Sequence, residues 1–582
     1  MTAPSRDRIL SKARGDATAP GAFEWIAASI PCQAACPAGT DIPGYLEAIA
    51  RGDDAEAYRI NLEDNVFPAV LGRVCTRPCE PACRHGWEGL GEPVAICFSK
   101  RSAADFQGRD PVVLPPLHPP SGKRVAVAGA GAAGLAAARD LARFGHTVTV
   151  YEKAAEPGGL MRWGIPAFRL PPETVAREID QIRRQGVEIR CGEGVGEDVP
   201  LDDLRLRHDA VVLATGTART VMPGIPGTDA LGVRHGLDFL NDLAARGTAE
   251  VGRHVVVVGG GFTAVDCARA ARMLGAESVR VVYRRTEAEM YISRHELDAF
   301  HREGIRFEPL TVPVGVDVDA GRSAGLRVAR GELTAPEADG RRGVRTIPGS
   351  ETRIDADTIL FGTGQALDLS WAEAAGLAED GAWRRRDAYR LAEPGLYLAG
   401  DCATGALSLI DAIAHGRRCA RAVDTDLMGR ERLRDVVEIR DAESTGRTAD
   451  LNALPRQPMP EIPVEERRAG TEVETGYADE AARTEASRCY LCNHKYEIDN
   501  DLCIYCDRCL QVKPVEGCIV KVKELVRDPG GRITGVVPST GRADYNLLWI
   551  DQAQCIRCDA CREVCPVECI SLQRVDRRVR LT

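Results

Sequence analysis

The chain has 582 residues, 44% of them hydrophobic and 27% charged, with a formal net charge of −10, which suits about three or four domains with ordinary cores. The acidic balance excludes general nucleic-acid binding, and no apolar run is long enough to span a membrane. The first ten residues are charged and lack an apolar core, so a cytoplasmic protein is expected, with its 21 cysteines acting as metal ligands more than as disulfides.

Residues 1–120 open with a polar lead, followed by Cys32 and Cys36 in C-Q-A-A-C-P and by Cys75, Cys79 and Cys83 in V-C-T-R-P-C-E-P-A-C. Between them, apolar residues recur at helical spacing over 41–60. Asp41 and Pro43 suit a helix start, and Gly52-Asp53-Asp54 breaks the pattern. A further helical run carries Cys97 and Lys100, and the proline-rich stretch 112–123 reads as a stiff extended linker.

A buried strand at 125–128 then runs into G-x-G-x-x-G (Gly129, Gly131, Gly134), a helix of small residues, a second strand and Glu152. That context is the one a dinucleotide needs. Glycines admit the pyrophosphate, the helix N-terminus faces its charge, and the carboxylate takes the ribose hydroxyls; a structural glycine turn is the alternative. A second copy has Gly259, Gly261 and Ala264, but its strand (278–285) ends in Tyr283-Arg284-Arg285. Two guanidiniums suit a 2′-phosphate and favour NADP(H), against the alternative of a solvated arginine pair. Buried strands at 209–217 and 357–365 end in glycine turns, and 395–406 sets Gly400 and Asp401 at a strand end before a further helix. This order describes an NADP domain inserted into an FAD domain. No C-x-x-C lies between Gly129 and Asp401, which disfavours redox-dithiol chemistry there.

The tail holds eleven cysteines between residues 488 and 570. Cys555, Cys558, Cys561 and Cys565 form the C-x2-C-x2-C-x3-C-P run of bacterial ferredoxins, in which three thiolates hold one [4Fe-4S] cluster and the fourth crosses to another. The preceding half has Cys503, Cys506 and Cys509, with Lys513 where Cys565 stands and Cys518 as the nearest replacement. Disulfides or zinc are the alternatives, but zinc ribbons use C-x2-C pairs, not triplets.

Residues 28–425 resemble the glutamate synthase small subunit and the matching part of dihydropyrimidine dehydrogenase, through P-C-Q-A-A-C-P, the Cys75/Cys79/Cys83 trio, P-G-G-L-M-R-W-G-I-P-A-F-R-L (157–170), G-G-G-F-T-A-V-D-C, V-V-Y-R-R and A-G-D. The resemblance implies FAD on Gly129, Gly131, Gly134, Glu152, Gly159, Leu160, Thr215, Gly216, Gly400 and Asp401. It implies NADPH on Gly259, Gly261, Phe262, Thr263, Arg284 and Arg285. That family carries an R-C-x-x-C pair ahead of its first cysteines; here Arg488-Cys489-Tyr490-Leu491-Cys492 stands at the opposite end. By this resemblance Cys32, Cys83, Cys489 and Cys492 share one cluster. Cys36, Cys75 and Cys79 share a second, whose usual oxygen ligand is replaced by Lys100, so that Cys97 on the same helix face can serve instead. The ferredoxin sets are then Cys503, Cys506, Cys509, Cys565 and Cys518, Cys555, Cys558, Cys561, up to four clusters in all. Cys191, Cys267, Cys402 and Cys419 read as core residues, and Cys569 is left over.

The expected fold is multidomain α/β with two Rossmann-like dinucleotide-binding domains. The expected divisions are an N-terminal α-helical Fe-S domain (1–120), an FAD domain (121–225 and 366–430), an NADP domain (226–365), a linker (431–487) and a C-terminal α+β ferredoxin-like domain (488–582). The expected function is electron transfer between NADP(H), FAD and [4Fe-4S] clusters, to or from ferredoxin or a partner enzyme, with no side-chain acid or base nominated. No stretch remains for an organic-substrate domain, so a hetero-oligomer is expected; a 2-oxoacid:ferredoxin oxidoreductase is the partner suggested by analogy. Two alternatives stay open: a glutamate synthase small subunit feeding an amidotransferase, and a redox sensor without turnover.

Overall fold

The computed structural model describes residues 29–108, 112–217, 219–290, 292, 294–336, 342–527, 529, 533–541 and 547–582; the charged leader at 1–10 lies outside them. The first cysteines sit among short helices: α1 (Pro31–Ala35), α2 (Ile42–Ala50), α3 (Asp54–Asn65), α4 (Pro68–Val74) and α5 (Ile96–Phe106). The Asp41 and Asp53 carboxylates accept from the Gly44 and Glu56 N–H groups and so cap α2 and α3. Proline opens α1 and α4, where its missing N–H has no helical partner to lose.

The first nucleotide unit is β1 (Arg124–Ala128), α6 (Ala132–Arg143), β2 (Thr147–Glu152), α7 (Pro172–Arg184), β3 (Glu188–Cys191) and β4 (Ala210–Leu213). The second repeats the plan with β5 (Val233–His235), β6 (His254–Val258), α8 (Phe262–Met273), β7 (Ser278–Val282), β8 (Arg306–Glu308) and β9 (Thr358–Phe361). The chain then returns through β10 (Leu396–Leu398) and α9 (Leu409–Met428) to complete the first sheet. Both sheets are five-stranded and parallel, ordered β10-β4-β1-β2-β3 and β5-β9-β6-β7-β8. Their central strands are near-continuous runs of buried Val, Ala, Ile and Leu, because helices cover both faces of such sheets. An antiparallel sheet from Thr311–Asp319, Arg322–Pro336, Arg342–Thr346 and Thr352–Asp355 separates β8 from β9.

Two details differ from the sequence reading. β7 stops at Val282, so Tyr283, Arg284 and Arg285 occupy the turn beyond the strand. Within the stretch read as a linker, β11 (Leu433–Asp441) pairs along its whole length with the last strand, and α10 (Asp479–Ser487) packs on α2 and α5. The tail continues with β12 (His494–Ile498), β13 (Ile519–Arg527) and β14 (Ile570–Leu581), the last lying between β11 and β12 in an antiparallel sheet. Among the described residues, no helix is long and apolar enough to cross a membrane.

Candidate functional site

Each nucleotide motif places a bare helix N-terminus at the end of its first strand. Gly131 leads α6 and Gly261 leads α8, and neither helix has a side-chain cap or a first-turn acid, so the first-turn N–H groups face outward for an anion. A Cβ on Gly134 would meet the Gly129 carbonyl at 2.0 Å and one on Gly159 would meet the Gly131 Cα at 2.8 Å, so only glycine permits this cradle. Leu160 starts the short helix Leu160–Trp163 beside it, and Thr215 and Gly216 follow β4, Gly216 with a positive φ of 67°. Glu152 ends β2, where its carboxylate accepts from the Ala130 and Ala154 N–H groups at 2.7 and 2.8 Å. Gly400 and Asp401 follow β10. Burial pushes the Asp401 carboxyl up to about 6, and its Oδ1 is buried without a hydrogen-bond partner. That orphaned oxygen beside an uncapped helix fits FAD, whose ribityl and phosphate groups would satisfy both.

In the second unit, Phe262 and Thr263 form the first turn of α8, and Gly259 and Gly261 flank the loop from β6. Arg284 is exposed just past β7, while Arg285 Nε donates to the Arg342 carbonyl at 2.6 Å. An exposed guanidinium where a ribose-binding acid would otherwise stand fits a 2′-phosphate.

The cysteines fall into groups that sequence separation hides. Cys32, Cys83, Cys489 and Cys492 line one cavity with Arg84 and Tyr490. Cys97 hydrogen-bonds with Cys75 and Cys79, and these three lie with Cys36 around the ammonium of Lys100. Burial alone would push that ammonium down, but the four cysteines hold it well above its ordinary range, so Lys100 stays a cation and donates to Asn65 Oδ1 at 3.2 Å. A lysine held charged cannot ligate iron. Cys97 is therefore the fourth donor available to this group.

In the tail, Cys518 lies against Cys555 and Cys558, and Cys561 against the same two. Cys503, Cys506, Cys509 and Cys565 share a second cavity, which Cys569 also lines. Cys569 is a residue that sequence reasoning left unassigned; its place immediately before a strand, like that of Cys518, was the available signal. Of the other cysteines, Cys267, Cys402 and Cys419 are fully buried, and the Cys402 thiol donates to the Leu213 carbonyl at 3.1 Å. Cys191, at the end of β3, is only half-buried. Among the described residues, no three His, Cys, Asp or Glu side chains close on one point as a single ion requires. Four thiols spread around a cavity instead suit the corners of an iron–sulfur cube. Burial pushes the thiols of Cys32, Cys489 and Cys561 up, so cluster binding must displace their protons.

Buried ion pairs fix these groups relative to one another. Arg84, 1% exposed, donates from Nη1 to Cys492 Sγ at 3.5 Å and to the Cys555 carbonyl at 3.1 Å, so it touches an N-terminal and a C-terminal group at once. Arg488 pairs with Glu485 at 2.7 Å and donates to the Glu92 carbonyl, while Glu485 accepts from the Ala95 and Gln457 N–H groups. That pair is tolerable in a core because backbone groups satisfy both partners. On the flavin side, Arg139 and Arg143 of α6 reach the Glu63 carbonyl and carboxylate of α3, and Arg417 of α9 pairs with Asp64. Residues 455–477 strap the second nucleotide unit to the rest. Glu472 pairs with Arg73 and Arg101, Glu474 with His295, and the Val473 N–H bonds the Phe168 carbonyl.

Comparison with known proteins finds three family models along the chain. The family model for pyridine nucleotide-disulphide oxidoreductase matches residues 123–416, that for dihydropyrimidine dehydrogenase domain II, 4Fe-4S cluster, matches 27–111, and that for a 4Fe-4S binding domain matches 548–571. The chain is similar to the NADP(+)-dependent formate dehydrogenase subunit beta of Moorella thermoacetica, 36% identical over 79% of this chain and 70% of that protein. It is similar to the NADPH-Fe(3+) oxidoreductase subunit beta of Geobacter sulfurreducens, 34% identical over 79% of this chain and 75% of that one. It is also similar to the glutamate synthase [NADPH] small chain of Escherichia coli, 33% identical over 67% of this chain and 87% of that one.

Proposed function

The chain belongs to the pyridine nucleotide-disulphide oxidoreductase family, and on that premise we propose that it is the NADP(H)-handling subunit of a larger redox enzyme, wiring FAD to a partner through four [4Fe-4S] clusters. It is an NADPH-linked iron–sulfur flavoprotein oxidoreductase. The observation that carries the wiring is the bridge at Arg84, which joins the group of Cys32, Cys83, Cys489 and Cys492 to that of Cys555, while the other tail group carries the exposed Cys506.

Bound FAD supplies the conversion between the paired electrons of NADPH and the single electrons that clusters carry. The protein's own residues do the rest. The N-termini of α6 and α8 bind the two pyrophosphates, Arg284 selects the 2′-phosphate, and the Arg139, Arg143 and Arg417 contacts hold the flavin domain at a fixed distance from the buried cysteine groups. The four ligand sets are Cys32, Cys83, Cys489, Cys492; Cys36, Cys75, Cys79, Cys97; Cys518, Cys555, Cys558, Cys561; and Cys503, Cys506, Cys509 with a fourth cysteine. The partner is a separate subunit that oxidises a small carboxylate. Formate, named for the Moorella relative, and the 2-oxoacid suggested by analogy both belong to that class. The cysteine-rich tail favours this reading over a glutamate synthase small subunit, whose match covers 67% of this chain. The cytoplasm, which keeps thiols reduced, is its place of action.

Anaerobic mixing with NADPH tests the reading: flavin absorbance bleaches first and cluster absorbance follows. Flavin that stays oxidised under excess NADPH overturns it. Arg284→Ala with Arg285→Ala weakens NADPH roughly tenfold or more while leaving NADH nearly unchanged, about 1.4 kcal/mol of lost selectivity. Equal losses for the two nucleotides sink the 2′-phosphate assignment.

A further inference from the structure

The C-terminal module is an imperfect internal repeat. Its first half ends K-P-V-E-G-C-I, from Lys513 to Ile519, and its second ends C-P-V-E-C-I, from Cys565 to Ile570. The structure repeats with the sequence. Asp507 and Asp559 take matching left-handed conformations, φ 62° and 64°, each ahead of a one-turn helix, Arg508–Gln511 and Ala560–Glu563. Each half then seats a buried cysteine directly before a strand: Cys518 before β13 and Cys569 before β14, 5% and 4% exposed. Cys569 is thus the counterpart of Cys518, whereas Cys565 has as its counterpart Lys513.

Cys518 shows where that position points. It lies against Cys555 and Cys558, which belong to the triplet of the opposite half. By the same pseudo-symmetry Cys569 points back at the first triplet, and it does so: it hydrogen-bonds with Cys503, its Sγ lies 3.5 Å from that of Cys565, and it lines the cavity shared by Cys503, Cys506 and Cys509. Five thiols therefore surround a group that has four ligand places. Cys565 and Cys569 stand at the two ends of one short loop, 565–569, whose Glu568 has a left-handed φ of 51° and whose Val567 is exposed.

We propose that Cys565 and Cys569 are interchangeable fourth ligands of the cluster on Cys503, Cys506 and Cys509, so that either completes it and the other remains as an adjacent thiol. This rests on the reading above that the group holds a [4Fe-4S] cluster. Its consequence is a surface cluster that keeps four ligands when one of the two thiols is oxidised or alkylated. At the other C-terminal group, Lys513 leaves Cys518 without such a reserve.

The test uses the full chain, reconstituted anaerobically, with iron content and EPR as readouts. Wild type, Cys565→Ala and Cys569→Ala each hold the same iron and show no three-iron signal after mild oxidation. The double variant shows that signal, and Cys518→Ala shows it alone as the internal control. A three-iron signal in Cys565→Ala with Cys569→Ala silent overturns the proposal in favour of Cys565 as sole ligand, and the reverse pattern overturns it in favour of Cys569. A three-iron signal in both singles overturns it as well, because neither cysteine then replaces the other, and so does a double variant without the signal. Wild type that binds no cluster at this site fails the underlying reading instead, and the controls separate the two failures.

Discussion

The N-terminal and C-terminal cysteine groups use the same ligand chemistry in opposite surroundings. Cys32, Cys75, Cys79 and Cys97 are at most 8% exposed and sit in the largest hydrophobic cluster of the molecule, crossed by buried charges: Lys100, Arg84 and the Glu485–Arg488 pair. Cys506 is exposed, and Leu502 and Ile504 beside it are each 59% exposed over a much smaller core. Burial holds electron carriers at fixed separations in a constant dielectric. Exposure lets a carrier reach a second protein. On the proposed function, the buried groups carry internal transfer and the exposed one exchanges electrons with the partner.

The most drastic way to break this comparison is to remove residues 480–582. If the buried groups were independent of the tail, about eight irons would remain; with Cys489 and Cys492 completing one of them, as proposed, about four are expected. Cys489→Ala with Cys492→Ala in the full chain checks the same point without disturbing the fold, with about twelve irons expected against about sixteen for the parent. Arg488→Met comes next. It leaves Glu485 buried with only the Ala95 and Gln457 N–H groups, and destabilisation of about 3 kcal/mol or more is expected in chemical denaturation. A loss below about 1 kcal/mol would show that the buried pair does not anchor the tail.

Arg84→Gln probes the junction more gently. Losing a buried cation that touches Cys492 and the Cys555 carbonyl lowers the reduction potentials of two clusters by tens of millivolts in an EPR titration and leaves the exposed cluster unmoved. Equal shifts at all clusters would remove Arg84 from the junction.

The smallest effect is a pH dependence on the buried side. Burial pushes the Glu178 carboxyl up to about 7, against the N–H groups of Ala69 and Val70 and the Tyr58 hydroxyl that donate to it. The folded state then holds a proton that the unfolded chain releases near its ordinary value of 4.5. Stability from this group is complete below that value and is lost as pH rises toward 7. Glu178→Gln flattens this part of the thermal-midpoint profile; an unchanged slope would refute the assignment.

Much of this was legible in the residues themselves. The glycine motifs, Glu152, the Arg284-Arg285 pair and the ferredoxin triplets are short-range patterns, and strand and helix periods place them without help from the rest of the chain. Cys97 could be named as a candidate donor too, because Lys100 at the usual ligand position is a cation three residues away on the same helix. The stretch around 433–475 was not legible. Its polar composition reads as a linker, yet β11 extends the C-terminal sheet and Glu472 and Glu474 find buried or half-buried arginine and histidine partners in two other domains.

The sequence alone therefore determined the class of chemistry and its cofactors, and it named the candidate donors and nucleotide-binding residues. Only the tertiary structure decided the place of Cys569. The resemblance had already grouped Cys489 and Cys492 with Cys32 and Cys83, more than four hundred residues away along the chain, and the structure sets all four around one cavity; Cys569, which the sequence left over, it places with Cys503. The physical reason is that a cube takes its ligands from whatever lies around it in space. Spacing along the chain limits which cysteines can reach together, and packing chooses among them.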